Sequence, residues 1–208
     1  VIVILLGMKA RALRKVAARL NIFLADLLAP LGRSERQQWG SQYVQGLLGD
    51  AERKNVTGVA ARFPDGNSQA IQQFLHSSPW PNDPVRLAMT RKALGELDPV
   101  QVCIVDDTGF PKKGKHSVGV ARQYSGTLGK VDNCQVAVTV SLANSAMSLP
   151  CAYRLYVPEA WAHDRERRGI AGVPRDVKFA TKWEIALTEI DRLLGDDLPP
   201  APVVADAG

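Results

Sequence analysis

The stretch Val100-Gln-Val-Cys-Ile-Val-Asp106-Asp107-Thr108-Gly109-Phe110 decides how this chain is read. Val100 to Val105 is a short apolar run rich in β-branched residues, the composition of a buried strand. It delivers carboxylates at its C-terminal end, and Gly109 follows where the chain is expected to turn. Ligands of α/β sheets bind outside the carboxyl ends of strands, so Asp106 marks a candidate site. The pattern recurs at Val203-Val-Ala-Asp206-Ala-Gly208. Taken singly, each Asp reads first as a turn cap. Taken as neighbours, Asp106 and Asp206 converge, and two adjacent carboxylates need a cation between them. Mg2+ and similar hard ions take such oxygen donors together with phosphate oxygens. A pair of these ions, about 3.5–4 Å apart, clamps the attacking and leaving oxygens of a phosphodiester.

Basic residues follow the first acidic pair. From Phe110 to Val131 the chain carries Lys112, Lys113, Lys115, Arg122 and Lys130 and no acid. Phosphate neutralisation beside a metal site needs this sign of charge, and His116 sits among them. The bland alternative is a solvated, flexible basic loop.

Further strands are expected at 117–124, 135–142 and 149–157, the second with clear alternation. The polar 158–175 stretch reads as an ordered connection, with His163 to Arg168 a solvated mixed-charge run. Thr181 and Glu184 have capping-box spacing. The helix they open places Trp183, Leu187, Ile190 and Leu194 on one side and closes at Gly195. The last strand then runs into Asp206.

The first hundred residues read as helical. Residues 9–28 lack Gly and Pro and repeat apolar residues at Leu13, Val16, Ala17, Leu20, Leu24, Leu27 and Leu28. The opposite face is basic, with Lys9, Arg11, Arg14, Lys15 and Arg19. A second helix is expected from a Ser34/Gln37 capping box, with Trp39, Tyr43 and Leu47 on one face. A third covers 68–75, and a fourth follows Asn82 and Pro84 through Leu94. The organisation is therefore a helical region over 1–98 and an α/β domain over 99–208.

Composition sets outer bounds. The 208 residues carry a net charge of +5 and a pI near 9.2, which permits a polyanionic partner without requiring one. Cys103, Cys134 and Cys151 fit no zinc spacing, and their odd number argues against a disulfide framework. They read as buried thiols of a reducing compartment. The apolar Val1–Leu6 run is too short for a membrane span and has its charges after it rather than before. No membrane association and a cytoplasmic location follow as expectations.

The run Val105-Asp106-Asp107-Thr108-Gly109-Phe110-Pro111-Lys112-Lys113-Gly114-Lys115-His116-Ser117-Val118-Gly119-Val120 resembles the first acidic motif of bacterial insertion-sequence transposases of the insertion-sequence 701 family. Gln123–Gly126, Asn133–Val136, Leu155–Trp161 and Phe179–Lys182 are similar to the same group. The resemblance implies a DDE catalytic domain: a ribonuclease H-like mixed sheet in β-β-β-α-β order, here preceded by an all-α region. It implies Asp106 and Asp206 as catalytic acids and metal ligands, with Asp107 and Thr108 behind them. Lys112, Lys113, Lys115, His116, Arg122 and Lys130 are then DNA contacts. The cofactor is two Mg2+ or Mn2+ ions, the partners are element ends and target DNA, and the intact family is expected to form homo-oligomers associated with the nucleoid. The family's third acid, a Glu on a later helix, lies beyond Gly208, so a C-terminally truncated form is expected.

The same residues bear on two other chemistries. Asp106-x-Thr108 resembles the nucleophile motif of haloacid-dehalogenase-like phosphatases, but Thr108 stands where those enzymes carry a second Asp. A two-component receiver would place its phosphoacceptor much earlier in the chain. A non-enzymatic alternative is a remnant that binds DNA or an intact transposase without cutting.

Overall fold

The computed structural model describes residues 10–50 and 53–206. Val1–Leu6 and Lys9 lie outside the described residues. The chain divides into two compact units, Val1–Met89 and Thr90–Gly208.

The first unit is helical. Helix α1 spans Ala10–Leu28 and passes through a 3-10 turn, Ala29–Leu31, into α2, Ser34–Leu48. Helix α3 is Val56–Ala60 and α4 is Ser68–His76, while α5, Asp83–Leu94, runs across the boundary after Met89. Leu24, Leu27, Leu28, Leu31 and Phe74 form one core, with Trp39 and Trp80 against it. Trp80 stacks on Phe74 at 5.2 Å between centroids and donates its Nε1–H to the Phe74 carbonyl at 3.0 Å.

Two expectations change here, and one helix is added that the sequence did not announce. The apolar stripe of α1 enters the core only at its C-terminal end, while Leu13 and Val16 are exposed. Ser34 does not cap α2: Arg33 is the N-cap, and no side chain caps the helix. Gln37 is spent instead on the Ala29 carbonyl. Short α3 has no periodic signal at five residues, yet the Asn55 side chain caps it by accepting from Gly58 N–H at 2.7 Å.

The second unit is a five-stranded mixed sheet. Its strands are β1 (Val102–Pro111), β2 (Ala121–Ser125), β3 (Lys130–Ala143), β4 (Ser148–Leu155) and β5 (Val203–Ala205). Helices α6 (Glu159–His163), α7 (Arg165–Ile170) and α8 (Lys182–Gly195) lie between β4 and β5. The hydrogen-bonded order is β2-β3-β1-β5, and β4 pairs with β3. β3 runs antiparallel to β1, β2 and β4, whereas β5 runs parallel to β1.

Alternation along β1 assigns its faces. Cys103, Val105 and Asp107 share one face, and Ile104, Asp106 and Thr108 share the other. Helix α8 covers the first: Ile185 and Ala186 pack on Val138, with Val105 and Tyr156 beside them.

The buried face of α8 is not the one expected. Ile185, Ala186, Glu189 and Leu193 are buried, whereas Trp183 is 63% exposed and Leu187 and Leu194 also face outward. The reason is Glu189, which is fully buried. Its carboxylate meets Arg154 of β4 at 2.7 Å and Arg192 at 3.1 Å. An acid in the middle of a buried face hides that face from any reading by hydrophobicity.

Candidate functional site

β1 is longer than the apolar run suggested. It continues through Asp106 to Pro111, because β3 runs beside it from Ala143 to Cys134. Asp106 therefore lies inside a strand rather than at its end. On the other side, β5 pairs only Cys103 with Val203, Ile104 with Val204 and Val105 with Ala205. The next residue on each side is an Asp: Asp106 continues β1, and Asp206 follows directly after β5. Asp106 and Asp206 thus each stand one residue past the last register pair of neighbouring strands, whose paired segments lie about 4.7–4.9 Å apart. Both are exposed.

The backbone around Asp106 is tied down. Thr139, its register partner on β3, donates its hydroxyl to the Asp106 carbonyl at 3.1 Å. Asp107 N–H donates to Asp106 Oδ1 at 2.7 Å. The hard-oxygen donor set of these two Asp side chains suits a divalent cation. Among the described residues, no group of three or more His, Cys, Asp or Glu side chains is placed to hold a metal.

Asp107 faces the other way. Its carboxylate is ion-paired with Lys182, the first residue of α8. Lys182 Nζ also lies 5.9 Å from the centre of the Tyr156 ring, within cation–π range. Thr108 returns to the Asp106 face and is half-buried.

The basic segment after β1 is not a loose loop. Asn133 of β3 donates to the carbonyls of Lys112 at 2.6 Å and Gly114 at 2.9 Å. Gln135 donates to Val118 O, and Trp161 donates to Val120 O at 2.8 Å. Arg167 donates to Lys115 O at 2.8 Å while its guanidinium sits 3.7 Å from the centre of the Trp161 ring. Gly119 turns the segment with φ of +75°, and a Cβ there would lie 2.6 Å from Tyr156 O. These contacts hold the backbone inward and leave Lys112, Lys113, Lys115 and His116 exposed.

Arg122 and Lys130 differ from those four. Lys130 is ion-paired with Asp132 at 3.0 Å. The Lys130 hydrogen bond holds the Asp132 carboxyl below its ordinary range, the Asn133 N–H adds to this, and the Arg122 charge contributes last. Asp132 thus partly offsets both cations. Sequence reading missed Asn133, Gln135, Trp161, Arg167 and Lys182 as organising residues. Each acts on a segment far away in the chain, so no local spacing reveals it.

Residues 26–208 match the family model described as DDE superfamily endonuclease. The chain belongs to this superfamily. The DDE-superfamily chain is also 35% identical over 150 residues to the probable transposase for insertion sequence element IS701 of Microchaete diplosiphon. That alignment covers 71% of this chain and 36% of the relative, so the chain spans little over a third of that protein. The expected resemblance to insertion-sequence 701 transposases is borne out. No helix among the described residues is long and apolar enough to cross a membrane.

Proposed function

We propose that this DDE-superfamily chain carries the first two acids of a metal-dependent DNA transposase site, Asp106 and Asp206. The observation that supports this most is the parallel β1–β5 register, which ends on both strands one residue before an Asp. Antiparallel β1, β3 and β4 with a parallel β5 after a helix suits a ribonuclease H-like sheet.

In this reading Asp106 and Asp206 hold Mg2+ or Mn2+. Divalent ions there supply charge stabilisation to phosphodiester oxygens during cleavage and strand joining. Thr139 and the Asp107 N–H fix the Asp106 backbone and one of its oxygens. Lys182 keeps Asp107 on the opposite face. Lys112, Lys113, Lys115 and His116 position DNA phosphates from a segment whose backbone is already anchored, so little ordering entropy is lost on binding. Arg122 and Lys130 add weaker contacts beside Asp132. The helical unit grips element ends or a second copy of the chain.

A second reading rests on the absence, among the described residues, of a three-member metal group. There the chain alone binds DNA without cutting it.

Two measurements test these readings. Mn2+ titration followed by electron paramagnetic resonance is expected to show binding that weakens at least about tenfold in Asp106→Asn and Asp206→Asn, a loss of about 1.4 kcal/mol. Equal Mn2+ binding by all three proteins would remove the metal assignment. Supercoiled plasmid with Mg2+ or Mn2+ is expected to be nicked no faster by the chain than by Asp106→Ala. Nicking that depends on Asp106 would overturn the second reading.

A further inference from the structure

The polar connection between β4 and α8 contains a basic concavity that the proposed site does not use. A cavity of about 850 Å³ is lined by Ala162, His163, Arg165, Arg168, Gly169, Val173 and Arg175. Three guanidinium groups and an imidazole converge there, and no acid lines it. The acidic residues close by in sequence are Asp164, Glu166 and Asp176. Asp164 is engaged as the cap of α7, accepting from Arg167 N–H at 2.9 Å. No ion pair among the described residues neutralises Arg165 or Arg175, and both are exposed.

Arg168 builds the cavity wall. It donates to the carbonyls of Ala162 at 2.9 Å, Pro174 at 2.9 Å and Val177 at 2.6 Å. Those bonds join α6 to the segment that follows α7 and leave the charge of Arg168 unneutralised. The same short helix is coupled to the basic segment, because Arg167 holds the Lys115 carbonyl and stacks on Trp161. A mixed-charge run that reads as a solvated loop is thus folded so that His163, Arg165 and Arg168 face one hollow while Arg167 turns to the basic segment.

We infer that this cavity is a seat for backbone phosphates of nucleic acid, separate from the Lys112–Lys115 segment and held beside it by Arg167. Guanidinium groups suit this use, because their planar forks meet phosphate oxygens two at a time. Arg165 and Arg175 supply the free cations of the seat and Arg168 its fixed base. The inference rests on the proposed DNA-binding reading but not on the metal site.

The test is the salt dependence of binding to a short duplex of arbitrary sequence, followed by fluorescence anisotropy between about 50 and 200 mM salt. Each phosphate contact removed lowers the log–log slope by about 0.9. Arg165→Ala/Arg175→Ala is expected to lower the slope by about 1.8, with Arg165→Lys/Arg175→Lys recovering most of it. An unchanged slope in the Ala pair, with a reduced slope in Lys112→Ala/Lys113→Ala/Lys115→Ala, would overturn the cavity and leave the basic segment standing. Duplex binding absent in the unmodified chain would overturn both. Protection of Arg165 and Arg175 from phenylglyoxal by inorganic phosphate, but not by duplex, would mark a free-anion site and overturn the nucleic-acid assignment. Arg168 is left intact throughout because its three carbonyl bonds make it structural.

Discussion

Lys182, the first residue of α8, is ion-paired with Asp107 on β1. A cation in the first turn of a helix opposes the helix dipole, so the pair with Asp107 compensates for an unfavourable position. It also fastens the residue next to Asp106 to the helix behind the sheet. The side chains of Lys182 and Asp107 are 43% and 32% exposed, so solvent screens the attraction. Lys182→Met and Asp107→Asn are each expected to lower unfolding free energy by about 1 kcal/mol or less. A double-mutant cycle by urea denaturation should give a coupling of about 0.5–1 kcal/mol. Strict additivity would mean that the pair does not hold β1 to α8.

Glu189 poses a different electrostatic problem. It is fully buried, while the Arg154 and Arg192 side chains are 47% and 30% exposed. The Glu189 oxygens make ion pairs with these arginines but no hydrogen bond, so the attraction is chiefly Coulombic. Removing Glu189 frees two arginines that can return to water. Removing both arginines strands a carboxylate in the core. Arg154→Met/Arg192→Met is therefore expected to cost about 3–5 kcal/mol, and Glu189→Gln clearly less. Equal losses in chemical denaturation would contradict this asymmetry.

The capping box of α8 predicts an acid-side effect. The Thr181 hydroxyl, and then the Thr181 N–H, hold the Glu184 carboxyl below its ordinary value of 4.5. A carboxyl whose folded pKa is depressed contributes stability that is fully present above its unfolded pKa. That stability is lost as pH falls through the folded pKa. The difference in Tm between the native chain and Glu184→Ala should be constant above about pH 5.5 and shrink steadily below about pH 4.5. A difference that grew on acidification would refute the capping role.

Gly109 is a packing requirement. A Cβ there would lie 2.5 Å from Ser125 Oγ, 2.9 Å from its Cβ and 3.0 Å from its Cα. Ser125 is fully buried, so it has no room to withdraw. Gly109→Ala should cost about 1–3 kcal/mol. Adding Ser125→Ala removes only the hydroxyl clash and should restore the stability in part, as read by thermal denaturation. Full restoration would place the whole conflict at Oγ.

Thiol reactivity checks the core of the second unit. Cys103, Cys134 and Cys151 are all buried. Burial pushes the thiols of Cys103 and Cys134 above their ordinary value, and Cys151 adds to the effect on Cys103. Ellman's reagent should react slowly with the native chain and release three equivalents only on denaturation. A fast native equivalent would show that one of these strands opens readily.

Particular residues show what the sequence makes legible. The alternation of 135–142 marks the central strand, and Thr181 with Glu184 marks the start of α8, because both signals are local. The pairing of Asp106 with Asp206 was legible as two similar strand ends, although β1 proved to run past its Asp. Its extension depends on β3, which no window around Asp106 contains. The inward face of α8 was misread for the same kind of reason. Glu189 is made acceptable inside by Arg154, thirty-five positions earlier. The basic segment was legible in charge but not in rigidity, since its anchors come from β3, α6 and α7.

Strand β5 has only three residues, all exposed, and is held by three register pairs with one flanking bond from Cys103 N–H to Pro202 O at 2.8 Å. Such an edge element opens locally at low cost. The alignment of Asp206 with Asp106 is then expected to depend on how often β5 is docked. In the proposed reading, a cation held by the two carboxylates would act as a cross-strand fastener, and part of its binding energy would go into closing the edge. Its apparent affinity would then fall in proportion to the fraction of molecules with β5 docked. Amide hydrogen exchange at Val203 to Ala205 would slow on adding Mn2+, so occupancy of the site becomes readable from the backbone of one short strand.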